Sequence, residues 1–302
     1  MTVQVANAPC SFGAFEFTVG IDPNVPDGIG VLDAVASAGY AGIDLGPVGY
    51  LGDGPELGER LAARNLTLAG GYVPLPFSDP AALAGEISYL DSMLDILDAT
   101  PAGLRPRPTL ADAGSPERLA NPGVAATDRD LGLDEAGWQR FAEGLDLAVA
   151  KCRERGYEPT FHHHLGTYVE AVWEIERVLE LTDVGLCLDT GHLLAGGGQP
   201  VKGLRDWAAR INHIHLKDAR TKLLAAIVAD RAPMEEIWRR RAFCALGDGD
   251  TGMDEVLATI VDIDYSGWLV VEQDIFPDPS ELPAQVAARQ AANRDWLRSR
   301  GI

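Results

Sequence analysis

Several apolar runs in this chain end in side chains that can bind a cation or move a proton. Residues 184–195 read VGLCLDTGHLLA, in which a strand-like run leads straight into Asp189, a Thr-Gly pair and His192. FHHH ends another run with His162, His163 and His164, NHIHLKD carries His213, His215, Lys217 and Asp218, WLVVEQD carries Glu272 and Asp274, and GIDLG carries Asp44. All six histidines lie between residues 162 and 215. Side chains two apart on a strand share a face, so His162 and His164 point one way, and His213, His215 and Lys217 point together. Buried ionisable groups need partners, and a divalent cation satisfies several carboxylates and imidazoles at once. The oxygen and nitrogen donors Asp189, His215 and Glu272 suit Mn²⁺, Co²⁺, Mg²⁺ or Zn²⁺, and without a cysteine among them a structural zinc site is not expected.

Each residue also has an ordinary reading. Asp189 before Thr190-Gly191 could cap a helix, and a strand histidine could be a hydrogen-bonded core residue. Lys217 could pair with Asp218 or another carboxylate, and Arg220 could be a solvated surface arginine or could bind a substrate oxygen. GDGD, residues 247–250, reads as a turn before a helix, the alternative being a loop that offers amides to a substrate oxygen. The arrival of Asp189, His215 and Glu272 at successive strand ends favours a metal.

The elements that must position these residues alternate. Strand-like runs occur at VQVANA, GIDLG, LTLAGGYV, EPTFHHH, VGLCLD, INHIHLK and GWLVVEQ, with amphipathic helical stretches between them. An eighth strand is expected at residues 108–111, weakened by the three prolines of ATPAGLRPRPTLADAG. Eight strands alternating with helices predict a single α/β domain over residues 1–302, a (β/α)8 TIM barrel. An open doubly wound sheet is the competing topology, but no GxGxxG follows the first strand. Residues 218–250 form a long segment after strand 7, predicted as an insertion that covers the active face. Barrel enzymes build their sites at the carboxyl ends of the strands, where these ionisable residues fall.

Composition narrows the functional classes. The 302 residues are 46% apolar and 23% charged, with a net charge of −20, so phosphate backbones and anionic lipid surfaces are repelled. No nucleic-acid or membrane partner is expected. Cys10, Cys152, Cys187 and Cys244 are far apart and form no CxxC pair, which reads as free thiols. No signal peptide is read at the N-terminus and no run is long enough to span a bilayer, so the expected location is the cytoplasm.

Together, FHHHLGTYVE, VGLCLDTGHLLAGGG, RINHIHLKDAR, FCALGDGD and YSGWLVVEQD resemble the xylose-isomerase-like TIM-barrel superfamily (sugar phosphate isomerase/epimerase type), and within it the inosose dehydratase branch. The resemblance covers residues 158–274. The loops after the first two strands, CSFGAFEFTVG and GPVGYLGDG, depart from that branch. The resemblance implies a Mn²⁺- or Co²⁺-type ion held by Asp189, His215 and Glu272, with His162 in the slot usually taken by a glutamate on the fifth strand. It implies a small polyol or sugar substrate and a metal-dependent lyase that dehydrates a keto-polyol such as 2-keto-myo-inositol through a metal-stabilised enediolate. His192 and His164 are the expected base and acid, and Lys217 the cation beside the developing oxyanion. A ketose isomerase or epimerase on the same site, and a non-catalytic sugar-binding subunit, are the alternatives. Self-association into a homo-oligomer is left open.

Overall fold

A computed structural model describes residues 3–100 and 105–302. Residues 101–104, in the proline-containing stretch before the expected fourth strand, lie outside the described residues. The parallel strands are β1 (Val3–Asn7), β2 (Gly42–Ile43), β3 (Thr67–Leu68), β4 (Gly70–Leu75), β5 (Arg107–Asp112), β6 (Thr160–His162), β7 (Gly185–Asp189), β8 (Ile211–Leu216) and, after two short strands given below, β11 (Gly267–Val271). Their spatial order is β3-β2-β1-β11-β8-β7-β6-β5-β4. The two ends of that list are halves of one stave, interrupted at Ala69. Its amide donates to the Ile43 carbonyl and its carbonyl accepts from the Arg107 amide, both at 3.0 Å, which closes the ring. Nine strands thus make the eight staves of a TIM barrel.

The strand at residues 108–111 is present and longer than its prolines suggested. It pairs with β4 from Arg107 to Asp112, but with β6 only from Thr109 to Ala111. Pro108 therefore sits where one flank alone demands a ladder hydrogen bond.

Helices α1 (Gly28–Ala38), α2 (Gly54–Ala62), α3 (Pro80–Asp98), α5 (Glu135–Glu154), α6 (Val172–Leu181), α8 (Pro200–Asp206), α11 (Met253–Asp262) and α12 (Pro283–Arg298) surround the staves. The outward strand residues, Val5, Leu110, Phe161, Leu186, Leu188, Ile214, Leu269 and Val271 among them, pack in the large core shared with the helices. Inside the barrel is a smaller cluster of Ala6, Ala8, Ala69, Trp268 and Val270. Gly42 on β2 leaves room for that indole: a Cβ there would lie 2.7 Å from Trp268 Cη2. On β11 the inward parity runs Trp268, Val270 and then Glu272, so the apolar plug ends where the ionisable layer begins.

Between β8 and α11 the chain forms β9 (Asp218–Ala219), α9 (Thr221–Ala229), α10 (Met234–Arg239) and β10 (Phe243–Cys244), with β9 and β10 paired antiparallel. Leu224, Ile227, Met234, Ile237, Trp238 and Phe243 give this segment a core of its own. The segment from residue 113 to 133 holds a short helix, α4 (Pro116–Ala120), and two 3₁₀ turns. Among the described residues, no helix is long and apolar enough to cross a membrane.

Candidate functional site

The ionisable strand ends meet at the carboxyl mouth of the barrel. One donor atom from each of His162, Asp189, His215 and Glu272 lies within 4.8 Å of the others, and all four residues are buried. His215 Nδ1 is 3.1 Å from Glu272 Oε2 and 3.7 Å from Asp189 Oδ2. The His162 and His215 rings stand edge to face with centroids 4.8 Å apart. The four residues whose spacing suggested ligands therefore occupy one place.

These donors fit a divalent ion. His162 Nδ1 and His215 Nε2 are buried without a hydrogen-bond partner, a costly state for polar atoms. Burial lowers the His215 pKa, but Cys187, Glu272 and Asp189 outweigh it and raise it well above the usual imidazole range. The anionic ring thus draws in positive charge, by a proton where no ion is bound. The mixed oxygen and nitrogen donors suit the harder first-row divalent ions.

Asp189 meets the cap reading offered for it. Its Oδ1 accepts from the amides of Gly191 and His192, each at 2.8 Å, and caps α7 (Thr190–Ala195). Its Oδ2 is left facing His215 and Lys217. His163 points away from the other two histidines of its run and accepts from the Asp189 amide at 3.2 Å. Burial presses its pKa down to about 4, so it is a neutral structural residue.

Lys217 is the hub of the layer. Its ammonium donates to His192 Nε2 at 2.9 Å and to Asp274 Oδ2 at 3.0 Å, and lies 2.9 Å from Glu272 Oε2 and 3.1 Å from Asp189 Oδ2. Burial lowers its pKa, but Asp189, Asp274 and Glu272 outweigh it, and the group stays charged. Gly191 admits the stem, since a Cβ there would lie 2.6 Å from Lys217 Cγ. Of the carboxylates open to it, Lys217 pairs with Asp189, Glu272 and Asp274 rather than Asp218. That carboxylate is taken by four amides: Ala219 and Thr251 donate to Oδ1, Gly247 and Gly249 to Oδ2, at 2.9 to 3.1 Å. The GDGD amides of Gly247 and Gly249 are therefore spent on the protein itself, and the stretch is a turn. Arg220 is exposed and donates to the Arg241 carbonyl at 2.8 Å.

A cavity of about 220 Å³ opens over the layer, the size of a small polyol. His162, His164, His215, Lys217, Glu272 and Asp274 form its floor. His164 Nδ1 lies 2.7 Å from the Leu165 carbonyl, which can only accept, so Nδ1 carries the proton and Nε2 keeps its lone pair. Burial, then Lys217, lowers the His164 pKa. His192 does not line the cavity. It lies behind His164, ring centroids 3.9 Å apart, and against Phe243 and Lys217. Of the three residues expected to carry the chemistry, His164 and Lys217 line the cavity and His192 does not.

The walls hold residues that strand-end reading did not reach. Cys10, Phe15, Glu16 and Phe17 come from the loop after β1, Tyr72 from β4 and Trp238 from α10. Phe15 and Trp238 stack with centroids 5.0 Å apart, and Phe15 and Phe17 at 5.2 Å. Asp44 also faces the cavity, with Oδ2 3.7 Å from His215 Nε2. Burial pushes its carboxyl up to about 7 against the pull of His215. For the loop after β1, the signal was its departure from the dehydratase pattern. For Trp238 the signal was its place in the segment expected to cover the active face; its stacking partners Phe15 and Phe17 lie more than two hundred residues earlier.

The family described as xylose isomerase-like TIM barrel matches residues 32–300. An inosose dehydratase of Geobacillus kaustophilus (strain HTA426) is 31% identical over 265 residues, 86% of this chain and 84% of that protein. An inosose dehydratase of Bacillus cereus (strain AH820) is 36% identical over 146 residues, 47% of this chain and 49% of that protein. The fold is similar to that of the probable 3-DHS dehydratase involved in petrobactin synthesis from Bacillus anthracis, with a TM-score of 0.68, 14% identity and 98% of each chain covered. It is also similar to that of a D-allulose 3-epimerase from Methylomonas sp., with a TM-score of 0.66, 14% identity, and coverage of 99% of this chain and 97% of that one.

Proposed function

Because the chain belongs to the xylose isomerase-like TIM barrel family, we propose that its mouth is the active centre of a divalent-metal-dependent hydro-lyase that removes water from a keto-polyol such as 2-keto-myo-inositol. The chain is an enzyme of the dehydratase or epimerase type. The observation that carries the finer reading is the convergence of His162, Asp189, His215 and Glu272 beside an uncharged, tautomerically fixed His164. Those four residues hold the ion, with Mn²⁺ or Co²⁺ favoured. When bound there, the ion supplies Lewis-acid polarisation of a carbonyl oxygen.

The chain's own residues do the rest. His164 Nε2, whose lone pair is kept available by the Nδ1–H bond to Leu165, takes the proton from the carbon next to the carbonyl. The Lys217 ammonium, held charged by three carboxylates, stabilises the negative charge that develops on the former carbonyl oxygen. The imidazolium of His164 then gives its proton to the departing hydroxyl one carbon further, so hydrogen and hydroxyl leave as water. His192 holds Lys217 in position through its Nε2. Phe15, Trp238 and Tyr72 wall the cavity and limit water around the charged intermediate.

The test is turnover of 2-keto-myo-inositol by purified protein with Mn²⁺ or Co²⁺, followed by new ultraviolet absorbance of an enedione-type product. The expected result is product with either ion and none after chelation. No product with either ion rejects this substrate. Hydrogen exchange at the α-carbon in D₂O without loss of water, seen by NMR across a ketose panel, establishes the epimerase reading instead.

A further inference from the structure

We propose that the barrel interior carries a second, deeper ligand set, Cys187 with His162 and His215, which takes a soft ion such as Cd²⁺, Zn²⁺ or Cu⁺ in competition with the harder ion of the outer set. Cys187 lies two residues before Asp189 on β7, so its side chain shares the inward face one layer below. The register of β6 and β7 places it directly beside His162. A nitrogen from each of His162 and His215 and the Cys187 sulfur all lie within 4.8 Å of one another, and all three residues are buried. His162 Nδ1 and His215 Nε2 have no hydrogen-bond partner.

The two sets share both imidazoles and differ in the remaining donors. Asp189 and Glu272 are hard carboxylates that suit Mn²⁺, whereas a thiolate favours Zn²⁺, Cd²⁺ and Cu⁺. Two nitrogens and a thiolate are enough to anchor such an ion. Binding is a simple exchange: the metal–sulfur bond forms, the S–H bond breaks and the proton leaves to solvent. Because His162 and His215 cannot serve both sets, the chain holds one ion at a time. Soft metals therefore act as competitive poisons of the outer site, and Cys187 is the residue that makes them so.

The inference rests in part on the proposed outer site, and the experiment separates the two. Chelator-treated protein is titrated with Cd²⁺ and followed by the ultraviolet thiolate-to-metal charge-transfer band, while Mn²⁺ occupancy is read by electron paramagnetic resonance. The expected result is a band that saturates at one Cd²⁺ per chain and returns bound Mn²⁺ to solution one for one. Cys187→Ala abolishes the band. Cys10→Ala, which removes the thiol lining the cavity near Glu272 and Asp274, retains it. A band that survives Cys187→Ala, or that disappears with Cys10→Ala, overturns the proposal, as does Mn²⁺ that stays bound at saturating Cd²⁺. Failure of the wild-type chain to bind Mn²⁺ counts against the outer site, and the charge-transfer band still tests the inner one.

Discussion

Replacing Arg118 with methionine should cost more stability than any surface change in this chain. Arg118, on α4, is fully buried with Glu170 and Glu174, which are equally inaccessible. Its guanidinium donates to both Glu174 oxygens, at 2.8 and 3.0 Å, and to the Leu131 carbonyl at 3.1 Å, and lies 3.3 Å from Glu170. The two carboxylates are also held by backbone. Glu174 accepts from the amides of Glu170 and Ala171, and Glu170 from those of Ala125 and Gly166. Arg118→Met fills most of the volume but leaves two buried carboxylates without a cation. Removing one partner of a buried pair costs about 3–5 kcal/mol, and the four amide contacts place the expected loss toward the lower end. The deficit should shrink as pH falls toward 5, because a stranded glutamate escapes by taking up a proton. Urea unfolding monitored by far-ultraviolet circular dichroism reads the change as a shift in midpoint. Adding Glu174→Gln should recover part of the loss. A deficit below about 1 kcal/mol, the scale of an exposed pair, or one that does not change with pH, refutes the reasoning. The cluster matters beyond stability because Gly166 and Glu170 follow closely on His164, so Arg118 fixes the loop that leaves the active layer.

Three further outcomes are expected. Asp112 is buried, which pushes its carboxyl up to about 6 although Tyr168 and Gly114 both donate to its Oδ1. Its folded pKa lies above the unfolded value, so its stability contribution is intact below about pH 4 and is lost as pH rises to about 6, by up to about 3 kcal/mol at 1.36 kcal/mol per unit. Asp112→Asn keeps both amide bonds on Oδ1 and should flatten the unfolding midpoint across that window; an unchanged slope refutes it. Asp189→Asn should keep the α7 cap through Oδ1 yet lose Mn²⁺ affinity by more than ~100-fold, measured by chelator competition with circular dichroism unchanged. Asp218→Asn should speed hydrogen exchange at the Gly247 and Gly249 amides, whose shared acceptor becomes a donor, and leave the barrel amides protected.

Much of the site was legible because strands announce themselves twice, by apolar residues and by parity. Once residues 211–217 are a strand, His213, His215 and Lys217 must share a face, and the barrel closes that face toward Asp189 and Glu272. Parity also separates His162 and His164, which face the interior, from His163, which binds the Asp189 amide. What could not be read were contacts that depend on closure alone. Arg118 stands in PERLA, a stretch whose composition fits a solvated turn, and only its arrival beside Glu170 and Glu174 makes it a buried hub. Phe15 and Trp238 meet across the mouth from opposite parts of the chain. His192 was expected in contact with substrate, and its exclusion from the cavity depends on how α7 turns after Asp189.

The local charge of this layer favours added positive charge. Asp189, Glu272 and Asp274 all approach one ammonium, that of Lys217, and His215 is driven toward its protonated form by the first two and by Cys187. Three carboxylates against one lysine leave a deficit of positive charge in a buried volume, where an unpaired anion is least tolerated. A proton on His215 removes part of that deficit, and a divalent ion removes it while also satisfying the stranded nitrogen and oxygen donors. The cap formed by Asp189 serves the same end. Fixing Oδ1 with two amides leaves Oδ2 a single direction to face, so the interaction that begins a helix also aims the second oxygen at His215 and Lys217. One carboxylate thus begins α7 through one oxygen and turns the other toward His215 and Lys217.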